Sequence, residues 1–510
     1  MRSEIDSGPA PAAPDPFNLA AHVLARATAT PDRIALAVLS LQGAERWSYA
    51  RLAAAVRGTG SGLLAAGLCP GDRLLMRLDN TPDFPVVFLG AIAAGILPVP
   101  TSALLTAPEV ARITGEIRPA AIAAAPGPAL PPDPGCPVIG LDALRAMHGL
   151  PPCAFDVGSP DRPAYIVYTS GTSGQPRAVV HAHRAVWARQ MMWDGWYGLR
   201  ADDRLLHAGA FNWTFTLGTG LLDPWAAGAT ALIPAPGVTP EALPLLLRRH
   251  EATILAAAPG VIRHMLRATP FPALPALRHG LCAGEKLPET LRAAWTEKTG
   301  TAIHEAFGMS ECSTFISGSP DRPAPAGSAG YAQPGRRVAV VDARGTPVPR
   351  GEAGTIAVHR SDPGLFLEYW QAEAETAARF AGEWFLTGDV GCMEPDGAIT
   401  YLGRDDDMMN AGGVRVSPLE VEAVLNAHPA VAESAACELP VRKDASIIAA
   451  FYVTATPVEQ AELSAHLAAH LARYKQPRML IARDALPRNP NGKLARKLLR
   501  MEWMQHNAPA

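Results

Sequence analysis

Several things this chain does not have narrow the field before any motif is considered. Its seven cysteines are scattered over 510 residues without a C-x-x-C pair, so neither a disulfide framework nor a cysteine-rich zinc site is encoded. That usage fits a reducing compartment, and the expected setting is cytoplasmic. H-E-x-x-H, G-x-S-x-G and a G-x-G-x-x-G at a strand–helix junction are all missing, which disfavours zinc-protease, serine-hydrolase and dinucleotide chemistry. An excess of one charge is also missing: 45 basic against 48 acidic residues leave a net −3, and no global field favours nucleic acid or an anionic membrane. No repeat of fixed period is evident. The opening MRSEIDSGPAPAAPDPF carries Glu4 and Asp6 among prolines and no apolar h-region, so residues 1–16 read as a flexible lead-in rather than a signal peptide. The longest uncharged run, FPVVFLGAIAAGILPVPTSALLTAP at 84–108, is interrupted by Gly90, Gly95, Pro98 and Pro100. It predicts a buried helix followed by a short buried strand, not a membrane span.

What is present is a globular composition, 48% hydrophobic and 18% charged, in a chain long enough for two or more domains. Helical stretches (LAAHVLARAT, SYARLAAAVRGTGSGLLAAGL) alternate with short apolar runs (RIALAVL, RLLMRL), and the alternation resumes after the Pro/Ala/Gly-rich loop at 124–136. From about 338 the texture changes to short strands with turns, which predicts a small β-subdomain. GRDDD at 403–407 is a charged turn, followed by Ser417-Pro418-Leu419-Glu420, whose spacing predicts a capping box with proline at the first helical position. The expectation is an α/β fold: a large N-terminal domain of α/β sheets plus the β-subdomain (17–403), a hinge (404–407) and a small mobile α+β C-terminal domain (408–510).

One stretch poses a chemical question. YTSGTSGQPR at 168–177 follows the apolar Ala164–Val167 and gathers glycines, hydroxyls and a cation. Glycines that let backbone N–H groups turn toward an anion, with added hydroxyl donors and Arg177, would cradle phosphate; the same composition would also serve as a polar surface loop. It is not a Walker A loop, because Pro176 stands where the second glycine belongs.

The order of further motifs decides between those readings. AGEKLP (283–288), AFGMSE (306–311), WFLTGD (384–389), GRDDD (403–407) and NPNGK (489–493) follow the loop in sequence. The chain thereby resembles the adenylate-forming superfamily of acyl- and aryl-CoA synthetases, peptide-synthetase adenylation domains and luciferases, over about residues 17 to 500. VVHAHRAV, LGTGLLDPWAAGATALIP, SGSPDRPAPAGSAGYAQPG and RVSPLEVEAVLNAHPAVAESA look most like aryl-CoA ligases of the benzoate-CoA ligase type.

The resemblance implies ATP and Mg²⁺ as cofactors, coenzyme A as co-substrate and a small carboxylic acid as partner, with no nucleic acid and a monomer or homodimer. The acid attacks the α-phosphorus of ATP to give acyl-AMP and pyrophosphate, and the coenzyme A thiol then displaces AMP; both steps call for fixed donors and cations. Thr169, Ser170, Gly171, Thr172, Ser173 and Gly174 would wrap the β- and γ-phosphates, with Arg177 standing where the family usually has Lys. Gly284 and Glu285 would lie along the adenine edge. Phe307, beside Gly308, would stack on adenine where Tyr is common. Ser310 would donate to the α-phosphate, and Glu311 would coordinate Mg²⁺. Asp389 and Arg404 would contact the ribose, as a ribose-binding acid does elsewhere. Lys493 would bridge ATP and the acid carboxylate, although a lysine on a PNG turn is otherwise a solvated loop tip. Arg488, Arg496, Lys497 and Arg500 read as a solvated helix face that helps with the coenzyme A phosphates. Rotation of the small domain would pivot at Asp406, with Gly412, Gly413 and Arg415 on the thioester-forming face. His207, Trp213, Thr214, Phe215, Thr314 and Phe315 are candidates for the acid pocket, or for core. An enzyme loading a carrier-protein thiol and a degenerate ATP-binding protein remain open as alternatives.

Overall fold

Short, mostly apolar strands build the centre of the molecule. In the computed structural model, which describes residues 1–169, 176–411, 414–442, 445–488 and 493–506, Ile34–Leu39, Thr230–Pro234, Arg204–Ala208, Ile254–Ala257, His279–Ala283 and Ala302–Met309 run parallel and adjacent in that order. Antiparallel strands close both edges, Ala44–Ser48 on one side and Ser313–Ser317 with Tyr331–Ala332 on the other, giving nine strands. Near-continuous apolar strands are what a sheet covered on both faces requires.

A second, four-stranded parallel sheet combines Leu97–Pro100, Arg73–Arg77, Ala121–Ala124 and Val138–Gly140. The uncharged run forms the helix Asp83–Ala93, buried along its whole length, and then the strand Leu97–Pro100. Gly90 lets that helix meet the helix Tyr49–Ala65 backbone to backbone: a Cβ there would lie 2.8 Å from the Val56 carbonyl oxygen. Among the described residues no helix is long and apolar enough to cross a membrane. The expected β-subdomain is a six-stranded sheet that includes Arg337–Val341, Ala353–His359, Trp384–Met393 and Ile399–Arg404.

The C-terminal body has its own core, with Met409, Val416, Val421, Leu425, Ile448, Tyr452 and Leu463 buried together. In its main sheet the central strand Ala445–Thr454 pairs antiparallel with Val431–Arg442 and parallel with Met479–Ala482. The architecture is therefore a large N-terminal domain of mixed α/β layers followed by a small C-terminal domain.

Three local expectations are corrected. Residues 4–6, expected within a flexible lead-in, form an edge strand on Arg337–Val341, held by the Glu4 carboxylate on Arg337 at 2.6 Å. LAAHVLARAT divides into Leu19–Val23 and Arg26–Ala29 instead of one helix. Ser417 caps the helix Pro418–Asn426 through the Leu419 N–H, but the reciprocal half of the capping box does not form, because the Glu420 carboxylate takes a hydrogen bond from Lys475 at 3.0 Å. The Ser417 hydroxyl donates to the Leu402 carbonyl, tying the small body to the last strand of the large one.

Candidate active site

The carboxyl ends of His279–Ala283 and Ala302–Met309 open onto a cleft of about 1010 Å³ between the two bodies. Ligands of open α/β sheets bind at such strand ends. Thr169, Arg177, Gly284, Glu285, Phe307, Gly308, Ser310, Glu311, Asp389, Arg404, Asp406 and Lys493 all line it. Residues spread over more than three hundred positions are thus gathered on one surface.

The phosphate-loop reading rests on a hairpin whose antiparallel strands are Pro163–Thr169 and Arg177–Ala182, with Thr169 opposite Arg177. Ser170, Gly171, Thr172, Ser173 and Gly174 lie outside the described residues, as do Gly412 and Gly413; Arg415 belongs to the strand Val414–Val416. Arg177 Nε lies 3.1 Å from the Glu375 carboxylate and its guanidinium sits 5.1 Å from the Tyr369 ring centre. Tyr369 in turn donates its hydroxyl to Glu311 at 2.7 Å, which orients that carboxylate at the cleft wall.

The strand Ala302–Met309 carries the AFGMSE motif to the cleft. A bulge after Phe307 and the close approach of Gly308, where a Cβ would stand 2.5 Å from Thr314 Cα, make glycine obligatory there. Phe307 packs against Tyr401 at 5.2 Å and Phe315 at 5.4 Å. The Ser310 carbonyl accepts a hydrogen bond from His181 Nε2 at 2.8 Å. Since a carbonyl only accepts, the proton is on Nε2; burial lowers the His181 pKa to about 4 and keeps the ring neutral.

Asp389 and Arg404 sit opposite one another on paired strands, Asp389 Oδ1 taking a 3.3 Å hydrogen bond from the Tyr401 hydroxyl and lying 3.7 Å from Arg404 Nη1. Burial raises the Asp389 pKa to about 6, with Arg404 opposing the shift. Arg404 Nε also lies 3.4 Å from Asp406, which follows on the charged turn after the strand. Lys493 enters from the small body, its ammonium 5.7 Å from the centre of the Trp213 ring. Burial lowers its pKa, and the carboxylates of Glu285 and Asp389 oppose that shift. Trp213 crowds Gly284, where a Cβ would come within 2.6 Å of the indole.

Glu285, expected along the adenine edge, is engaged by the small body: its Oε1 accepts the Leu494 N–H at 2.8 Å. Two of the basic residues read as a solvated face are likewise paired. Arg496 forms two bonds to Glu422, at 2.8 and 2.7 Å, and Arg488 binds Glu433. Lys497 and Arg500 line the cleft.

The six acid-pocket candidates separate. Trp213 and Phe215 meet edge to face at 5.1 Å, Phe215 stacks on the buried Trp196 at 5.7 Å, and His207 lies edge-on beneath Phe215 at 4.5 Å. Thr214 opens the short helix Thr214–Leu217 beside them. Thr314 joins this side through Met192, whose sulfur its hydroxyl meets at 2.7 Å. Phe315 does not: it is fully buried in the main core, because neighbours on a strand face opposite sides. Burial lowers the His207 pKa to about 3, leaving it neutral. Tyr369, Tyr401, Arg263 and Glu433 line or frame the cleft without any motif to flag them in the sequence.

A cleft that assembles a lysine from one body with a buried aspartate, a carboxylate and a hairpin cation from the other has the groups an adenylate-forming ligase needs. The chain belongs to the AMP-binding enzyme family, whose match spans residues 23–370, with the AMP-binding enzyme C-terminal domain matched at 420–493. It is 32% identical to a benzoate–CoA ligase of Thauera aromatica over 90% of this chain and 92% of that protein. Among solved structures it is similar to a benzoate CoA ligase from Burkholderia xenovorans LB400 (TM-score 0.86, 28% identity, 95% of this chain and 100% of that one). A crystal structure of an anthranilate CoA ligase in complex with anthranoyl-AMP is also similar (TM-score 0.87, 26% identity, 96% and 98%). The protein is an AMP-forming acid–thiol ligase of the acyl- and aryl-CoA synthetase kind, with ATP and coenzyme A as substrates.

Proposed function

We propose that this ligase activates a small aromatic carboxylate in the cleft and passes the acyl group to coenzyme A. The observation that carries the residue roles is the convergence of Lys493, Asp389, Glu311, Ser310, Thr169 and Arg177 on one cavity. In the first step Lys493 bridges the acid carboxylate and the α-phosphate, stabilising the two anions as they close. Ser310 donates to the α-phosphate from a loop held by His181. Thr169 and Arg177, with residues 170–174, hold the β- and γ-phosphates. Phe307 stacks on adenine beside Gly308, and Asp389 and Arg404 hold the ribose. Glu311 would hold Mg²⁺: a single carboxylate at a phosphate site fits an ion that takes one acid, phosphate oxygens and waters.

Acid choice follows from the aromatic side of the cleft. Trp213, Phe215 and Trp196 form an aromatic cluster with His207 against Phe215, and side chains of this kind can flank the ring of an aromatic acid. The benzoate and anthranilate named for the similar proteins support that class. For the second step the small body turns about Asp406 to bring Gly412, Gly413 and Arg415 to the cleft. The enzyme works in the cytoplasm as a monomer or homodimer. The test is pyrophosphate release across benzoates, phenylacetates and straight-chain acids, with coenzyme A or a carrier protein as acceptor. Release with a benzoate and acyl-CoA formation only with coenzyme A are expected; preference for long-chain acids or for the carrier would overturn the proposal.

A further inference from the structure

Lys493 belongs to the small body, yet Trp213, Glu285 and Asp389, which it faces, belong to the large one, so something must set where it stands. Charged residues of alternating sign cross the junction beside it. Arg263 lies on the large-body helix Pro259–Met265, and its Nη1 is 3.4 Å from the carboxylate of Glu433 on the small-body strand Val431–Arg442. Glu433 also binds Arg488, and Arg488 reaches back to the large body at 4.0 Å from Glu285. Glu285 then accepts the N–H of Leu494, the residue next to Lys493. The order is large, small, small, large: Arg263, Glu433, Arg488, Glu285. Its end fixes the backbone that carries the ammonium.

We propose that Arg263 and Glu433 are positioning residues for Lys493 in the acid-activating step, holding the small body where that lysine meets the carboxylate and phosphate; this rests on the role given to Lys493 above. They act through Arg488 and Glu285. The side chains of the Arg263–Glu433 pair keep 26% and 20% of their exposure, so water and salt weaken it. A contact of that strength holds an orientation without making it permanent, which suits a junction that must also let the acyl-AMP be reached by a thiol.

The two half-reactions test it. Acid-dependent pyrophosphate release without coenzyme A reports the first, and thioester formation from supplied acyl-AMP and coenzyme A reports the second. Arg263→Ala, at unchanged melting temperature, and Glu433→Gln are expected to slow the first by roughly three- to fivefold at low salt and to leave the second within about twofold. Arg263→Lys should recover most of the loss, and added salt should bring the unaltered enzyme toward the rate of Arg263→Ala. Glu433→Gln leaves two guanidinium groups facing one another and can lower stability, so Arg263→Ala decides the matter if it melts early. Equal losses in both half-reactions, or none in either, would overturn the positioning role. An unaltered enzyme that forms no acyl-AMP would instead overturn the function proposed above.

Discussion

Ion pairs inside the large body and ion pairs at its junction with the small body use the same residue types for opposite ends. Arg189 and Asp223 are buried, joined at 2.7 Å, and surrounded by the hydroxyls of Tyr197 and Thr219. Arg336 and Asp362 are equally enclosed. Arg263–Glu433 and Arg488–Glu433 keep part of each side chain in water. A buried pair cannot open without stranding a charge, so it locks geometry; a wet pair opens at small cost. The same residue types thus give an enclosed, hydroxyl-bonded frame in one region and a partly hydrated contact in the other.

The sharpest way to break this contrast is inside. Asp223→Asn strands the Arg189 charge and should cost about 3–5 kcal/mol of stability, read by urea unfolding; a loss below 1 kcal/mol would mean that burial is not what distinguishes the two regions. Next, Lys493→Ala should lower acyl-AMP formation about 10²–10³-fold with little change in melting temperature, since it removes a cation aimed at developing charge. A third effect separates by pH. Asp389 has its pKa raised to about 6; with the ribose contact proposed above, ionisation removes its O–H donor and leaves both oxygens to accept, so pyrophosphate release should rise through about pH 6. Asp389→Asn should be slower and should lose that inflection; survival of the inflection would assign it to another group. The sign for stability is opposite: a buried acid with a raised pKa favours the fold below the ordinary 3.8, and that contribution is lost as pH climbs through 6. The smallest change is Arg177→Lys, expected to stay within about threefold because the charge remains near Glu375 and Tyr369.

How much of this could be read from the chain depends on whether a residue's partner is local. The helix Asp83–Ala93 was legible because an uncharged run between breakers has few other ways to fold. Asp389, Glu311 and Lys493 were legible as a set because their motifs come in a fixed order, and the structure does bring them to one cleft. Phe315, left open between acid pocket and core, lies in the core, and strand alternation opposing it to Thr314 gives the reason. The Ser417 capping box looked complete in four residues, yet Lys475 took the glutamate, a partner no local pattern announces. Tyr369 on Glu311, and Glu433 between two arginines, were invisible for the same reason.

The edge strand at Glu4–Asp6 has a consequence in time rather than in space. Its salt-bridge partner Arg337 lies 333 residues further along the chain. At about 5–20 residues per second, synthesis takes roughly half a minute to supply that partner. Closing so long a loop costs little extra once both ends exist, because the entropy grows only logarithmically. On the ribosome, then, Glu4–Asp6 must wait for Arg337–Val341, and this seam can close before the later strands Ala353–His359, Trp384–Met393 and Ile399–Arg404 have emerged.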